Sequence, residues 1–181
     1  MRIIGGIARG TKLYTLEGQN TRPTLDRVKE SIFNLIQFDV VDAVVLDLFS
    51  GTGALGIEAI SRGAKKTYLI DNNKQAISII KENLKGIEGD FIVQQNDFLT
   101  FLNSTKEKFD IALLDPPYKT DFGKLAIEML IKNELLSKDA IIIFETSEDK
   151  DFNFNFDGFE IKKKKYGTVA VYKMERIKWN I

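Results

Sequence analysis

At 181 residues and 44% hydrophobic side chains, the chain is long enough for one domain with a substantial core and too short for two full ones. The absence of cysteine and histidine excludes a disulfide framework, thiolate metal sites, the usual catalytic zinc sites and every Ser-His or Cys-His triad, leaving carboxylates, amides, backbone groups or a bound cofactor to carry any chemistry. Formal charge is zero, yet residues 1–30 carry +3, residues 160–181 carry +5 and the middle carries −8, a pattern that fits either a polyanionic partner at both ends or plain solvated lysines.

In chain order, MRIIGG and KLYTL predict two short strands, and TLDRVKESIFNLI predicts a helix whose apolar positions 25, 28, 32, 33, 35 and 36 form one stripe, with Thr24 as N-cap. Residues 1–40 therefore read as a separate N-terminal extension, a hairpin and a helix, ahead of a larger unit over 41–181. From about residue 43 strand-like and helix-like patterns alternate. VVLDLF precedes a helix near 54–62, TYLI one near 74–85, FIVQQ a short one near 98–103 and IALL one near 122–132, and AIIIFE closes the series. This order specifies a mostly parallel sheet in an open α/β sandwich. Strands at 159–165 and 168–174, turning near Gly167, then predict an antiparallel hairpin appended to it. No apolar run approaches the roughly 18 residues of a membrane span, and MRIIGGIARG lacks the apolar stretch of a signal peptide. A cytoplasmic protein without membrane contact is expected.

The loop after the first α/β strand, DLFSGTGALG, holds Gly51, Gly53 and Gly56 in GxGxxG spacing, and Asp71 follows Gly51 by 20 residues at the end of the second strand. This is the dinucleotide fingerprint, and the same geometry also suits S-adenosylmethionine, which has the ribose but no pyrophosphate. Asp47 favours the latter: an acid ahead of the glycines repels a pyrophosphate but can pair with an ammonium. The alternative is a buried Asp that caps the following turn. Asn96, Asp97 and Phe98 end the third strand, where they can reach an adenine edge. NAD remains the lesser reading of these residues.

The fourth strand ends as DIALLDPPY on that same carboxyl edge. Methylating an exocyclic amine of a base is difficult because its lone pair is delocalised into the ring. A site that accepts hydrogen bonds from both N–H groups favours a more tetrahedral nitrogen. Asp115 offers a carboxylate acceptor and Pro116 a carbonyl, which Pro117 biases towards extended geometry. Tyr118 offers an aromatic face on which an extruded base can stack, worth roughly 1–3 kcal/mol. The plain alternative is that DPP only stops a strand.

The pair DLFSGTGALGIEAISRGA and LLDPPY resembles the class I S-adenosylmethionine-dependent amino-methyltransferases. MRIIGGIARGTKL, TRPTLDRVKESIFN and KKKKYGTVAVY narrow the likeness to the RsmD family, which methylates a guanine N2 amine of small-subunit 16S ribosomal RNA, and they extend it from Met1 to Tyr172. The resemblance implies a Rossmann-like sheet of seven strands with the last one antiparallel. It implies cofactor contacts from Asp47, Phe49, Ser50, Gly51, Thr52, Gly53, Asp71, Asn72, Asn96, Asp97 and Phe98, and target-amine contacts from Asp115, Pro116, Pro117 and Tyr118. It also gives Arg2, Arg9, Lys12, Arg22, Arg27 and Lys29 a task, clamping RNA phosphates near the mouth of the site; the alternative for Arg22 and Arg27 is a structural role, bonding carbonyls or Asp26. Asp71 stands where the family commonly has the longer Glu. Lys162–Lys165 read first as protection of an edge strand, and the rings of Phe33, Phe49 and Phe144 as core. A monomer without a metal is expected, acting on 16S ribosomal RNA within the small subunit. Three rivals share parts of the pattern. An NAD-dependent oxidoreductase leaves DPPY unused. A non-catalytic RNA-binding protein has little use for the acids at the strand ends. An amino-methyltransferase of another RNA, or of adenine or cytosine in DNA, shares the whole site.

Overall fold

The computed structural model describes residues 1–16, 23–148 and 156–177, without the side chains of residues 23–25. Its elements run α1 (Pro23–Leu35), β1 (Val44–Asp47), α2 (Ala54–Ser61), β2 (Lys66–Asp71), α3 (Lys74–Asn83), β3 (Phe91–Gln95), α4 (Phe98–Ser104), β4 (Phe109–Leu114), α5 (Phe122–Lys132), β5 (Leu136–Ser147), β6 (Phe159–Tyr166) and β7 (Val169–Arg176). They build a seven-stranded sheet in the order β3-β2-β1-β4-β5-β7-β6. The pairings from β3 to β5 are parallel, and β7 inserts antiparallel between β5 and β6. This is the class I methyltransferase sheet that the motifs imply.

Strand polarity follows from which faces are covered. Leu46, Ile70, Ala112, Leu114, Ile142 and Phe144 bury under α4 and α5. The alternate residues Val45, Leu69, Leu113 and Ile143 bury under α1, α2 and α3. Strands covered on both faces read as near-continuous apolar runs, which is why VVL, YLI, IALL and AIIIF stand out in the sequence. β5 is longer than the AIIIFE run because Phe109 also pairs with Leu136 before a register shift in β4.

The N-terminal segment departs from expectation. Its two predicted strands reduce to one antiparallel bridge, Arg2 with Lys12, flanked by Ile3 N–H to Thr11 O (2.9 Å) and Leu13 N–H to Met1 O (3.0 Å). The ladder stops because helix side chains take the other donors. Glu58 accepts from Ile4 N–H (2.9 Å) and Gly5 N–H (2.8 Å), Ser61 Oγ from Ala8 N–H (3.0 Å) and Asn83 Oδ1 from Tyr14 N–H (2.7 Å). Ile3 and Leu13 bury against Ile57, Ile60, Leu69 and Ile80. Gly6 has φ +78, and a Cβ there would lie 1.8 Å from the Ser61 carbonyl oxygen, so only glycine lets the segment approach this closely.

Helix α1 begins at Pro23, the first helical position that proline favours. Thr24 therefore sits inside the first turn and is not the N-cap. From α1 the chain reaches β1 through Val40 and Ala43, which bury with Val28, Ile32 and Phe33. Lys29 corrects a second expectation. It is not a surface phosphate clamp but is 3% exposed, with Nζ 3.1 Å from Glu58 and donating to Arg2 O (2.6 Å). Glu58 is fully buried and also accepts from Arg62 Nε (2.8 Å), whose guanidinium lies over Phe33. A carboxylate can be this deeply buried because two cations and two backbone N–H groups surround it.

On the sheet edge, Lys162 pairs with Glu160 and Lys165 with Glu148, while Lys163 lies over the Tyr172 ring. These contacts suit an edge protected by charge.

Removing the Glu58 carboxylate would strand the charges of Lys29 and Arg62 and two buried N–H groups. Glu58→Ala is expected to cost about 3–5 kcal/mol and to lower the thermal midpoint by roughly 6–20 °C. Differential scanning calorimetry would check this, and a midpoint within a degree of the parent would refute it.

Candidate active site

The carboxyl ends of β1, β2, β3 and β4 open onto one cavity of about 750 Å³, within the range of small-molecule sites. Its lining includes Asp47, Phe49, Ser50, Gly51, Thr52, Asp71, Asn72, Asn96, Asp97, Phe98, Asp115, Pro116, Pro117 and Tyr118. All of the residues expected at the cofactor and amine subsites therefore meet in one place, with the exception of Gly53, which is buried just behind the loop. Four aspartates line the cavity, and no lysine or arginine does so among the described residues.

The glycine loop is built by carboxylates. Ser50 Oγ donates to Asp47 O (2.7 Å), and Gly53 N–H donates to Ser50 O (2.7 Å), closing a tight turn. Gly51 has φ +54 and nothing within 4 Å of where a Cβ would stand, so its backbone faces open space. Its N–H donates to Asp71 Oδ2 (2.8 Å). Gly56 is required by proximity: a Cβ would lie 2.8 Å from Leu69 and 2.9 Å from Asp47 Oδ2. Asp71 Oδ1 accepts from Asn73 N–H (2.8 Å), and Asn73 in turn caps α3. Both oxygens of Asp71 thus hold backbone in place while the residue lines the cavity.

Asp47 is 1% exposed. Its Oδ2 accepts from Gly56 N–H (2.8 Å), so it does cap the turn, and its Oδ1 is buried with no partner among the described residues. Burial, with a smaller contribution from the charge of Asp71, pushes its carboxyl up to about 7, against the pull of the Gly56 and Ser50 hydrogen bonds. Across the cavity, Asp97 caps α4 by accepting from Leu99 and Thr100 N–H. Phe98 packs at 5.1 Å centroid distance on both Phe49 and Phe122, giving an apolar wall to which the 42% exposed Phe122 is the outer end.

Asp115 is exposed to the cavity. Partial loss of solvent there, followed by the charges of Glu145 and Asp47, raises its carboxyl above the usual carboxylate range. Pro117 O is occupied, accepting from Thr120 N–H (3.0 Å) and Thr120 Oγ1 (2.7 Å). The Tyr118 hydroxyl donates to Glu145 Oε1. Burial, then the Asp115 and Glu145 charges, raises the Tyr118 pKa, and burial raises Glu145 as well.

Sequence reasoning missed Glu145 and Phe122, and also Met1 and Leu16, which line the rim. Glu145 was detectable: IIFE repeats the pattern of apolar run then acid already seen in VVLD, YLID and ALLD. Of the basic residues expected to clamp RNA, Arg2, Arg9, Lys12 and Arg27 are exposed, and Arg22 lies outside the described residues. The N-terminal segment leaves the cavity rim at Met1 and descends α2 until Ile7 N–H reaches Ser61 O (2.8 Å). Eight residues of helix put that point about 12 Å from the glycine loop. The bridged pair Arg2 and Lys12 is therefore nearer the rim than Arg9.

A family model described as conserved hypothetical protein 95 matches residues 1–175. A Haemophilus influenzae protein named ribosomal RNA small subunit methyltransferase D is 36% identical over 176 residues, covering 94% of this chain and 91% of that protein. An Escherichia coli protein of the same name is 31% identical over 175 residues, covering 96% and 88%. Among solved structures, the Escherichia coli protein yhhF, described as a proposed methyltransferase, aligns with a TM-score of 0.88 at 31% identity over 97% of each chain.

The raised carboxyl of Asp47 has a thermodynamic signature. The folded state holds this proton more tightly than the unfolded chain, where the value is 3.8. The associated stability is therefore complete at low pH and is lost as pH rises from about 4 through about 7. Asp47→Asn keeps an oxygen for Gly56 N–H and removes the proton. Its stability relative to the parent should grow across that window, measured by urea unfolding at several pH values; a constant difference would refute the assignment.

Proposed function

The chain belongs to the family described as conserved hypothetical protein 95, the RsmD family, and from that membership we propose that it transfers a methyl group from S-adenosylmethionine to the exocyclic N2 amine of a specific guanine in 16S ribosomal RNA of the small subunit. The observation that carries this reading is the acid-lined cavity at the carboxyl edge, which joins the glycine loop to Asp115 and Tyr118 and, among the described residues, presents no lysine or arginine. A dinucleotide would bring a pyrophosphate to four aspartates, whereas S-adenosylmethionine brings an ammonium and a sulfonium.

The residues present fit this cofactor. Oδ1 of Asp47, which has no partner among the described residues, is a buried acceptor suited to a cation. Gly51 leaves open space where a side chain would otherwise stand. Asp47 with Phe49–Gly53 would hold the amino-acid end, Asp71 and Asn72 the ribose hydroxyls, and Asn96, Asp97 and Phe98 the adenine. When bound, the cofactor supplies an electrophilic methyl carbon activated by its sulfonium sulfur.

The chain's own residues prepare the nucleophile. Asp115 and the carbonyl of Pro116 accept the two amine hydrogens, turning the nitrogen lone pair out of conjugation with the ring. With Pro117 O engaged by Thr120, the backbone acceptor in this reading is Pro116. Tyr118 stacks the base, and Phe122 with Phe98 keeps water from the cofactor side. After transfer the surplus proton leaves to Asp115, whose carboxyl has a heightened affinity for it, or to water. No metal is needed for these roles. Residues 1–40 form the RNA-contacting extension and 41–181 the methyltransferase domain, working as a monomer in the cytoplasm, with Arg2 and Lys12 at the rim taking phosphates.

Asp115→Ala should lower methyl transfer at least 100-fold while leaving S-adenosylmethionine affinity within a few fold. The assay is labelled-methyl incorporation into small-subunit particles lacking the modification, with the nucleotide mapped by mass spectrometry. A variant with near-normal turnover would sink the role of Asp115, and a label on any other amine would redirect the substrate. Replacing Arg2 and Lys12 together by Gln should flatten the dependence of log affinity on log salt by roughly one to two, with cofactor affinity unchanged. An unaltered slope would remove them from the RNA surface.

A further inference from the structure

β4 and β5 run in parallel with Leu114 opposite Phe144. The next residues, Asp115 just past the end of β4 and Glu145 within β5, belong to neighbouring strands about 4.8 Å apart in the hydrogen-bonding direction. Glu145 is not on the cavity lining. It is 5% exposed and lies inside β5, with Val171 of β7 as its partner on the far side. A carboxylate so placed is costly unless it has a use, and its oxygen Oε1 accepts the hydroxyl of Tyr118.

Tyr118 has a different backbone setting. It belongs to the connection between β4 and α5, held locally by Thr120 bonding back to Pro117 O. A ring on such a connection has rotamer freedom of its own, while a ring tied at its far end to a rigid central strand does not. A carboxylate acceptor makes the tie stronger than a neutral one would.

We propose that Glu145 is a positioning residue: through the Tyr118 hydroxyl it fixes the aromatic ring beside Asp115, so that the wall on which the target base stacks is in place before the base arrives. This rests on the methyltransferase reading of the same cavity. Glu145 touches neither the cofactor nor the base and acts only through Tyr118. The raised pKa of Tyr118 accords with a hydroxyl that keeps its proton and donates it, and that hydrogen bond pulls the Glu145 carboxyl down against the larger upward effect of burial.

Four variants test this: Glu145→Ala, Glu145→Gln, which keeps an oxygen acceptor of the same shape, Tyr118→Phe, and Tyr118→Phe combined with Glu145→Ala. In single-turnover methylation of small-subunit particles, Glu145→Ala should lose about tenfold or more in kcat/KM for the particle, with cofactor affinity within about twofold. Glu145→Gln should stay within about threefold of the parent. In the Tyr118→Phe background Glu145→Ala should cost nothing further, because the contact is already gone. An equal cost in both backgrounds would mean that Glu145 merely supports the fold, and would overturn the proposal. So would Glu145→Gln being as impaired as Glu145→Ala. A second readout needs no turnover. In protein labelled with 3-fluorotyrosine, the Tyr118 resonance, identified by its absence in Tyr118→Phe, should shift and narrow in Glu145→Ala and stay put in Glu145→Gln. An unchanged resonance in Glu145→Ala refutes the anchoring even if methylation is never observed, and a parent protein that anchors the ring but transfers no methyl group refutes the function instead.

Discussion

Four carboxylates stand at or near the carboxyl ends of four strands that are neighbours in the sheet: Asp71 on β2, Asp47 on β1, Asp115 after β4 and Glu145 two residues inside the end of β5. With strands about 4.8 Å apart, they crowd like charges into a space only some 15 Å across. The site is largely the set of solutions to that repulsion. Asp71 spreads its charge over the N–H groups of Gly51 and Asn73 and in doing so shapes the glycine loop. Asp47 offers one oxygen to Gly56, and its pKa rises towards neutrality. Glu145 takes the Tyr118 hydroxyl. Asp71, Asp47 and Glu145 are each a structural acceptor, and the acids lining the cavity suit a cationic ligand better than an anionic one.

The opposite device holds the N-terminal segment. Glu58 is as buried as Asp47 but is surrounded by cations and N–H donors, and it ties three pieces of chain together: residues 2–5, α1 through Lys29, and α2. One carboxylate is fully compensated and makes a scaffold; the other is left short of partners and makes a site. Burial alone does not separate the two roles. The count of satisfied oxygens does.

Much of this was legible in the sequence. Strands buried on both faces give apolar runs, and helices buried on one face give stripes, so the α/β order from residue 43 onwards could be read locally. The GxGxxG loop, Asp71 and DPPY each sit next to a strand end, and strand ends in a parallel sheet share an edge, so their convergence also followed. What could not be read depends on partners far away in sequence. Nothing near Lys29 announces that it will meet Glu58, so its charge looked like a surface charge. Nothing in MRIIGG or KLYTL shows that Glu58, Ser61 and Asn83 will take the N–H groups that a hairpin would use. Glu145 was visible as a fourth repeat of the same strand-end pattern, but its role needed the sheet order, which brings β5 beside β4.

Asn83 gives the N-terminal packing a consequence in time. Its amide accepts from Tyr14 N–H and donates to both Tyr14 O and Thr52 O, so one side chain pins the segment and the glycine loop together. The contacts of residues 4–14 with Glu58, Ser61 and Asn83 span 53 to 69 positions of chain. At about 5–20 residues per second of synthesis, the segment exists for several seconds before its anchors have been made. During synthesis it can dock only late, a clasp whose closure waits for α3, and only then is the loop behind the cavity backed on both sides.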